Sequence, residues 1–304
     1  MGEIISCIGS GNMGSALMKG IAGAACNSGA GGSAAGGATG GGARILLADA
    51  DMEKAKAAAA VIAGAKACAS GAEAAEKGGF IFLAVKPQQM EAALAEIAPA
   101  IQKRLAKGEA PALVSMAAGW SIKKIQAAIA AGSPKSPPAA AAPPPAPVAR
   151  IMPNAPALIS KGVIALAVSP EVPAEKTAEL EKMLAGAGAV DLVAERSLDA
   201  VTGLSGSGPA FACMFIEALA DGGVLAGLPR DKALRYAAGT VLGSAAMVLE
   251  TGRHPGELKD MACSPGGTTI AGIAALEAGA FRSAVMGAVE AAWQRASELS
   301  AEAG

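Results

Sequence analysis

Two kinds of hydrophobic pattern divide the 304-residue chain. Up to about residue 195, short apolar runs alternate with stretches whose apolar residues recur at helical spacing, as in βαβ units on a parallel sheet. The runs predict strands at 3–8, 44–48, 79–85, 111–116, 148–152, 163–168 and 189–193. The stretches between them predict helices at about 12–25, 50–62, 88–105, 121–131 and 173–186. After residue 196 the strand signal stops, and segments 197–226, 230–250 and 281–300 show helical spacing only. The expectation is an α/β domain with a mostly parallel sheet over residues 1–195, then an all-α domain over 196–304.

Two segments fit neither pattern. Residues 27–43 hold eight Gly in 17 residues, too little apolar surface to offset their ordering entropy. Residues 133–147 hold seven Pro in 15 and should be extended, without helix or ladder. Both are read as loop insertions, which cost little because loop closure depends weakly on length.

Composition narrows the chemistry. Gly makes up 40 of the residues and only eight are aromatic, so the core must be built from Ala, Val, Leu, Ile and Met. The 25 basic and 26 acidic residues leave no net charge to steer toward nucleic acid, and no nucleic-acid partner is expected. With His254 as the single histidine, sites that need two are excluded, and no metal is expected. The five scattered cysteines form no CxxC pair and read as reduced thiols. No run reaches 18 uninterrupted apolar residues, so no membrane span is expected. A strand beginning near Met1 leaves no room for a leader peptide, and a cytoplasmic protein is expected. The helical half carries more apolar surface than a bundle of its size can hide alone, which predicts a homo-oligomer.

The motif closing the first strand is Gly9-Ser10-Gly11-Asn12-Met13-Gly14. Gly9 permits the tight turn, Gly11 lets backbone approach a pyrophosphate, and Gly14 lets helix and strand pack closely. Free N–H groups at the helix start then face the phosphates, which makes the domain Rossmann-type. Asp49 follows Gly14 by 35 residues, or 18 once the 17-residue Gly-rich segment is set aside, the position of the residue that contacts a ribose. Its carboxylate favours a free 2′-hydroxyl, while Lys54 and Lys56 nearby can offset repulsion of a 2′-phosphate; the sequence leaves the two open.

Other strand ends carry Ala84-Val85-Lys86-Pro87-Gln88, Ser115–Gly119 with Ala117 and Gly119, and Arg150–Asn154. Ligands bind at such ends, although Lys86 also fits a solvated loop lysine. In the helical half, Leu204–Ala210 (LSGSGPA) has small residues at a helix start, suited to a ligand or to close helix packing. Ser264-Pro265-Gly266-Gly267-Thr268-Thr269 offers freed backbone N–H groups and three hydroxyls, more than the ordinary N-cap that Thr268 alone would make. His254, before Pro255, fits a turn better than a catalyst.

Taken in order, these residues resemble the pyrroline-5-carboxylate reductase family. The resemblance runs from the first strand to about residue 299. It rests on Gly9–Gly14, Ala84–Gln88 and Arg150–Asn154, then on Asp199–Thr202, LSGSGPAF, Glu217-Ala218 and Asp221-Gly222-Gly223. Gly227-Leu228, Thr240, His254-Pro255, Leu258-Lys259-Asp260 and SPGGTTI complete it. The two low-complexity segments depart from the family pattern, as does Cys263 before Ser264, which raises thiol sensitivity as a question.

The resemblance implies reduction of the cyclic imine 1-pyrroline-5-carboxylate to L-proline with NADPH, NADH being the alternative. It implies an all-α dimerisation and substrate domain at 196–304 and a dimer, in that family often assembled into a decamer. It also implies an active site between one subunit's cofactor domain and helices of the dimer. Catalytic roles fall on Thr269, which hydrogen-bonds the ring nitrogen, and Ser264. Substrate-binding roles fall on Gly266, Gly267, Thr268 and Lys86. Cofactor contacts fall on Gly9, Gly11, Asn12, Met13, Gly14, Asp49, Ala84, Val85, Lys86, Pro87, Ala117, Gly119 and Asn154. Two other readings stand beside it. A β-hydroxyacid dehydrogenase would need a lysine after its Gly-rich helix start; Ala212–Ala220 contains none. A non-catalytic dinucleotide-binding scaffold would not require the SPGGTT loop.

Overall fold

The computed structural model describes residues 3–27, 44–132 and 144–302. The Gly-rich residues 28–43 and the Pro-rich residues 133–143 lie outside the described residues. Residues 144–147 form neither helix nor strand, and the Pro147 carbonyl accepts from Leu113 N at 2.9 Å.

The first unit is built on one sheet. Its elements are β1 (Ile4–Ile8), α1 (Asn12–Asn27), β2 (Arg44–Ala48), α2 (Met52–Val61), β3 (Ala65–Ala67), α3 (Gly71–Lys77) and β4 (Phe80–Leu83). They continue as α4 (Met90–Leu105), β5 (Ala112–Ser115), α5 (Ile122–Ala131), β6 (Val148–Pro153), β7 (Gly162–Val168), α6 (Ala174–Leu184), β8 (Gly188–Leu192) and α7 (Leu198–Val201). The strand order is β3-β2-β1-β4-β5-β6-β7-β8. All neighbours run parallel except β6 and β7. Eight residues, 154–161, join that pair, too few for the crossover a parallel return needs, so the chain doubles back.

Strand β4 shows why the sheet reads as continuous apolar runs. Phe80 and Phe82 face α1 and α6, packing with Leu17, Met18, Ile21, Leu180 and Leu184. Ile81 and Leu83, pointing the other way, pack with Leu94, Ile97 and Ile101 of α4 and Ile125 of α5. Alternate residues feed two cores, so every position must be apolar.

Two elements escape the hydrophobic pattern. The strand β3 is Ala-Lys-Ala at the sheet edge, set by pairing with Ile45–Leu47 of β2, with Ala65 half-buried against the core. The short helix α3 buries little more than alanine, but Ser70 caps it by accepting from Glu73 N at 3.1 Å. Its Glu73 carboxylate reaches back to Ala69 N at 3.0 Å and pairs with Lys77 at 2.8 Å. Ser70-x-x-Glu73 is the start signal of a capped helix, present in the sequence and independent of hydrophobicity.

The second unit contains helices only: α8 (Gly208–Leu225), α9 (Arg230–Thr251), α10 (Pro255–Met261), α11 (Thr268–Ala278) and the start of α12 (Phe281–Glu302). By contacts within the chain the two units divide at Gly206/Ser207, and the chain from Trp293 groups with the first unit. The reasons are local. A Cβ on Gly203 would meet Trp293 backbone at 2.8 Å, and Ser300 Oγ donates to Asp199 at 2.8 Å. These contacts tie the segment after residue 195 to the end of the chain.

The second unit buries little. Its core cluster holds Ala220, Ala233 and Ala237. Of the 23 large apolar residues exposed among the described ones, 15 lie between Met214 and Met286. The helical stretch Glu195–Leu225, 31 residues containing an 18-residue window of mean hydropathy 1.3, is long and apolar enough to cross a membrane by length and composition. The sequence expectation counted only uninterrupted apolar runs, whereas this stretch joins several helical segments that mix polar residues with apolar ones.

Candidate functional site

The strand order reverses at β1, which has β2 on one side and β4 on the other. Loops leaving β1 and β4 therefore part in opposite directions and open a crevice at the carboxyl edge, the ligand site of open α/β sheets. Gly9 turns the chain out of β1 with φ +96°, a conformation that side-chain-bearing residues rarely adopt. A Cβ there would lie 2.7 Å from the Ala84 carbonyl and 2.9 Å from Val85 N. Gly14 brings α1 equally close, since its Cβ would lie 2.6 Å from Gly9 O and 2.9 Å from Ala84 Cβ.

Gly11 differs from both. Nothing lies within 4 Å of the Cβ it lacks, so that face of the loop is open to an incoming group. Beside it α1 begins with exposed Asn12 and half-buried Met13, and its first turn carries no acidic residue. First-turn N–H groups have no partner inside a helix, so this end presents donors and positive dipole to an anion. The cradle fits a dinucleotide pyrophosphate on all three counts: tight turn, open backbone and unpaired donors.

Asp49 ends β2 next to this cradle. Its Oδ2 accepts from Ser10 N at 2.7 Å and from Ser10 Oγ at 2.9 Å, and its Oδ1 accepts from Asp51 N at 3.0 Å. Partial burial works to raise the carboxyl pKa, but the Ser10 and Asp51 hydrogen bonds and the Lys54 charge outweigh it and hold the pKa below the ordinary range. Beneath the loop, burial first and the Asp49 charge second push the Cys7 thiol up to about 12. Cys7 is therefore an inert thiol that donates to Gly9 O at 3.3 Å.

The other strand-end residues divide. Lys86 is exposed, and its backbone N donates to Gln89 Oε1 at 3.4 Å in a tight turn that includes Pro87. Ala84 and Val85 are half-buried against Gly9. After β5, Ala117 is buried and its N–H reaches Ser115 Oγ at 3.3 Å, while Gly119 turns the loop with φ +75°. Trp120 was not among the expected site residues. Its ring N–H donates to Pro87 O at 3.1 Å, latching the β4 and β5 loops together, and Lys124 sits 4.6 Å over its ring. A Trp beside a strand-end loop is the signal, because its buried N–H must find an acceptor.

Asn154 has a structural job instead of a free amide. Its Nδ2 donates to Ser205 O and Oγ at 3.2 and 3.1 Å, and its Oδ1 accepts from Val163 N at 2.9 Å. At 8% exposure the side chain joins β7 to the segment at 205.

In the helical unit, Ser264–Gly267 forms a tight turn closed by Gly267 N donating to Ser264 O at 3.0 Å. Pro265 fixes the second position, and Gly266, at φ +66°, takes the third, the requirements of a type II turn. Ser264 Oγ lies over Gly267, where a Cβ would come within 2.4 Å of it. The turn delivers the chain into α11 with Gly267 as N-cap and no side-chain cap bond. Thr268 is thus the first helical residue and not the cap. The loop is exposed apart from half-buried Gly267, and the hydroxyls of Ser264, Thr268 and Thr269 make no hydrogen bond to the described residues. His254, by contrast, caps α10, its Nδ1 accepting from Gly256 N at 3.1 Å. Next to the loop, Cys263 donates to Lys259 O at 3.1 Å.

A glycine cradle at the switch point of a Rossmann-type sheet, followed by helices carrying a second anion-ready end, defines a nicotinamide-dinucleotide-dependent oxidoreductase. Residues 195–299 match the family model for the pyrroline-5-carboxylate reductase dimerisation domain, and residues 4–119 match that of the NADP oxidoreductase, coenzyme F420-dependent, family. A pyrroline-5-carboxylate reductase of Synechocystis sp. is 43% identical over 75% of this chain and 77% of its own length. The solved pyrroline-5-carboxylate reductase of Coxiella burnetii superposes with TM-score 0.81 and 26% identity, covering 98% of each chain. The Plasmodium falciparum pyrroline carboxylate reductase, solved with NADP bound, gives TM-score 0.75 and 26% identity over 98% of each chain. The chain belongs to the pyrroline-5-carboxylate reductase family.

Proposed function

We propose that this protein reduces 1-pyrroline-5-carboxylate to L-proline, using NADPH or NADH. The observation that carries the reading is the start of α11, an uncapped helix end with three unengaged hydroxyls in a family of known substrate class. When bound, the nicotinamide supplies a hydride to the imine carbon. The chain's own work is binding and alignment, because a protonated imine is already an electrophile. The N–H groups at Gly266, Gly267 and Thr268 hold the substrate carboxylate, and Lys86 adds a positive charge. Thr269 hydrogen-bonds the ring nitrogen through its hydroxyl, with Ser264 beside it. Gly9, Gly11, Asn12, Met13 and Gly14 receive the pyrophosphate; Ala84, Val85, Pro87, Ala117 and Gly119 shape the sheet edge, with Asp49 at the ribose end.

The exposed apolar residues of the helical unit support a homodimer, and five such dimers would make the decamer of the resemblance. The same self-association accounts for the apolar stretch Glu195–Leu225 without a membrane. The free thiols of Cys7, Cys68, Cys213 and Cys263 support a reducing, cytoplasmic setting.

The test is NADPH and NADH oxidation on adding 1-pyrroline-5-carboxylate, run beside a panel of 2- and 3-hydroxy acids with the oxidised cofactors. Turnover confined to the imine supports the reading. Turnover confined to hydroxy acids, or none at all, defeats it.

A further inference from the structure

We infer that Asp49 is a specificity residue that makes this chain favour NADH over NADPH; the inference rests on the dinucleotide reading of the β1–α1 cradle. Strands β1 and β2 pair in register up to Ile8 and Ala48, and Gly9 N donates to Ala48 O at 2.8 Å, so Gly9 and Asp49 leave the sheet side by side. In that position the residue ending β2 faces the adenosine ribose. The carboxylate is held there by three donors, Ser10 N, Ser10 Oγ and Asp51 N. A carboxylate on a free rotor would swing aside for a 2′-phosphate. This one must break its bonds to Ser10 to do so, while Oδ1 keeps an acceptor position for a ribose hydroxyl. The same bonds keep it ionised.

The neighbouring charges do not reverse the preference. A 2′-phosphate needs cations, and the candidates are Lys54 and Lys56. Lys54 Nζ lies 3.7 Å from Asp51, and Lys56 Nζ lies 2.9 Å from Glu53. Such exposed pairs are weak and can open. Each lysine recruited to a phosphate would nevertheless leave its carboxylate behind. Residues 49–56 carry three carboxylates against two ammonium groups and no arginine, so the local balance stays negative.

The experiment is calorimetric titration of the intact protein with NADH and with NADPH, without substrate, for the wild type, Asp49→Ser and Asp49→Asn. The wild type should bind NADH at least about tenfold more tightly, the scale of an unrelieved like-charge contact. Both variants should close most of that gap by binding NADPH more tightly; Asp49→Asn keeps the shape and removes only the charge. A wild type that binds the two equally, or favours NADPH, overturns the inference whether or not the variants fold. So does a gap unchanged in folded variants. Binding of neither dinucleotide overturns the cradle reading beneath it, and the two failures are told apart by the wild-type titrations alone.

Discussion

The α/β unit and the helical unit solve the same problem in opposite ways. In the first, Phe80, Phe82, Leu17, Met18, Ile81 and Leu94 have essentially no exposed surface, because helices cover both faces of the sheet. In the second, Leu225 is 91% exposed and Leu249 84%, and only alanines are buried. The first unit is stabilised by its own core. The second leaves its apolar surface uncovered in a single chain, the surface on which the proposed dimer rests. Sites follow the same division: the dinucleotide cradle is fixed by buried contacts, whereas the SPGGTT turn stands exposed.

Four changes would break or sharpen this contrast. The largest effect is expected at the closed core. Phe82→Ala should destabilise the α/β unit by about 3–5 kcal/mol, the cost of a cavity left by a buried ring, read from denaturant unfolding. A loss under about 1 kcal/mol would mean that the core is not packed as described. Next, Leu225→Asp with Leu249→Asp should leave the α/β unit folded and convert the dimer to a monomer in analytical ultracentrifugation. A dimer of unchanged affinity would remove these positions from the interface.

The third change is chemical. Thr269→Ala should lower turnover by one to two orders of magnitude, on the order of 2 kcal/mol, with NAD(P)H affinity intact. Unchanged turnover removes Thr269 from the reaction. The smallest effect concerns pH. The Asp49 carboxyl has a folded-state pKa below its unfolded value, so its contribution to stability is present at neutral pH and lost as pH falls through the folded value. Wild-type stability should therefore decline more than that of Asp49→Asn below about pH 4. Parallel declines would show that the Ser10 bonds do not stabilise the ionised form.

Much of the fold was legible because most strands feed two cores. Phe80–Leu83 and Ala112–Ser115 are wholly buried and read as strands on apolar content alone. Ala65–Ala67 carries no such signal; its partner strand makes it a strand. Helix α3 was marked by Ser70 and Glu73, not by its apolar spacing, and α10 by the His254-Pro255 pair that reads as a simple turn. The joining of the chain's end to the segment after residue 195 was hidden because Gly203 against Trp293 is a contact across 90 residues. At the site, the glycines were readable since each has one steric purpose. The engagement of Asn154 with Ser205 and Val163, the grip of Ser10 on Asp49 and the reach of Trp120 to Pro87 were not. Hydrogen bonds between distant segments leave no local pattern.

The proposed reaction is hydride delivery by the bound dinucleotide to a cyclic imine. Incubation with 1-pyrroline-5-carboxylate and NAD(P)H deuterated at nicotinamide C4, followed by mass spectrometry and NMR of the product, tests it most directly. The expected product is L-proline carrying one deuterium on the former imine carbon, from one of the two C4-deuterated epimers. Proline without deuterium from either epimer, or no proline, would contradict it.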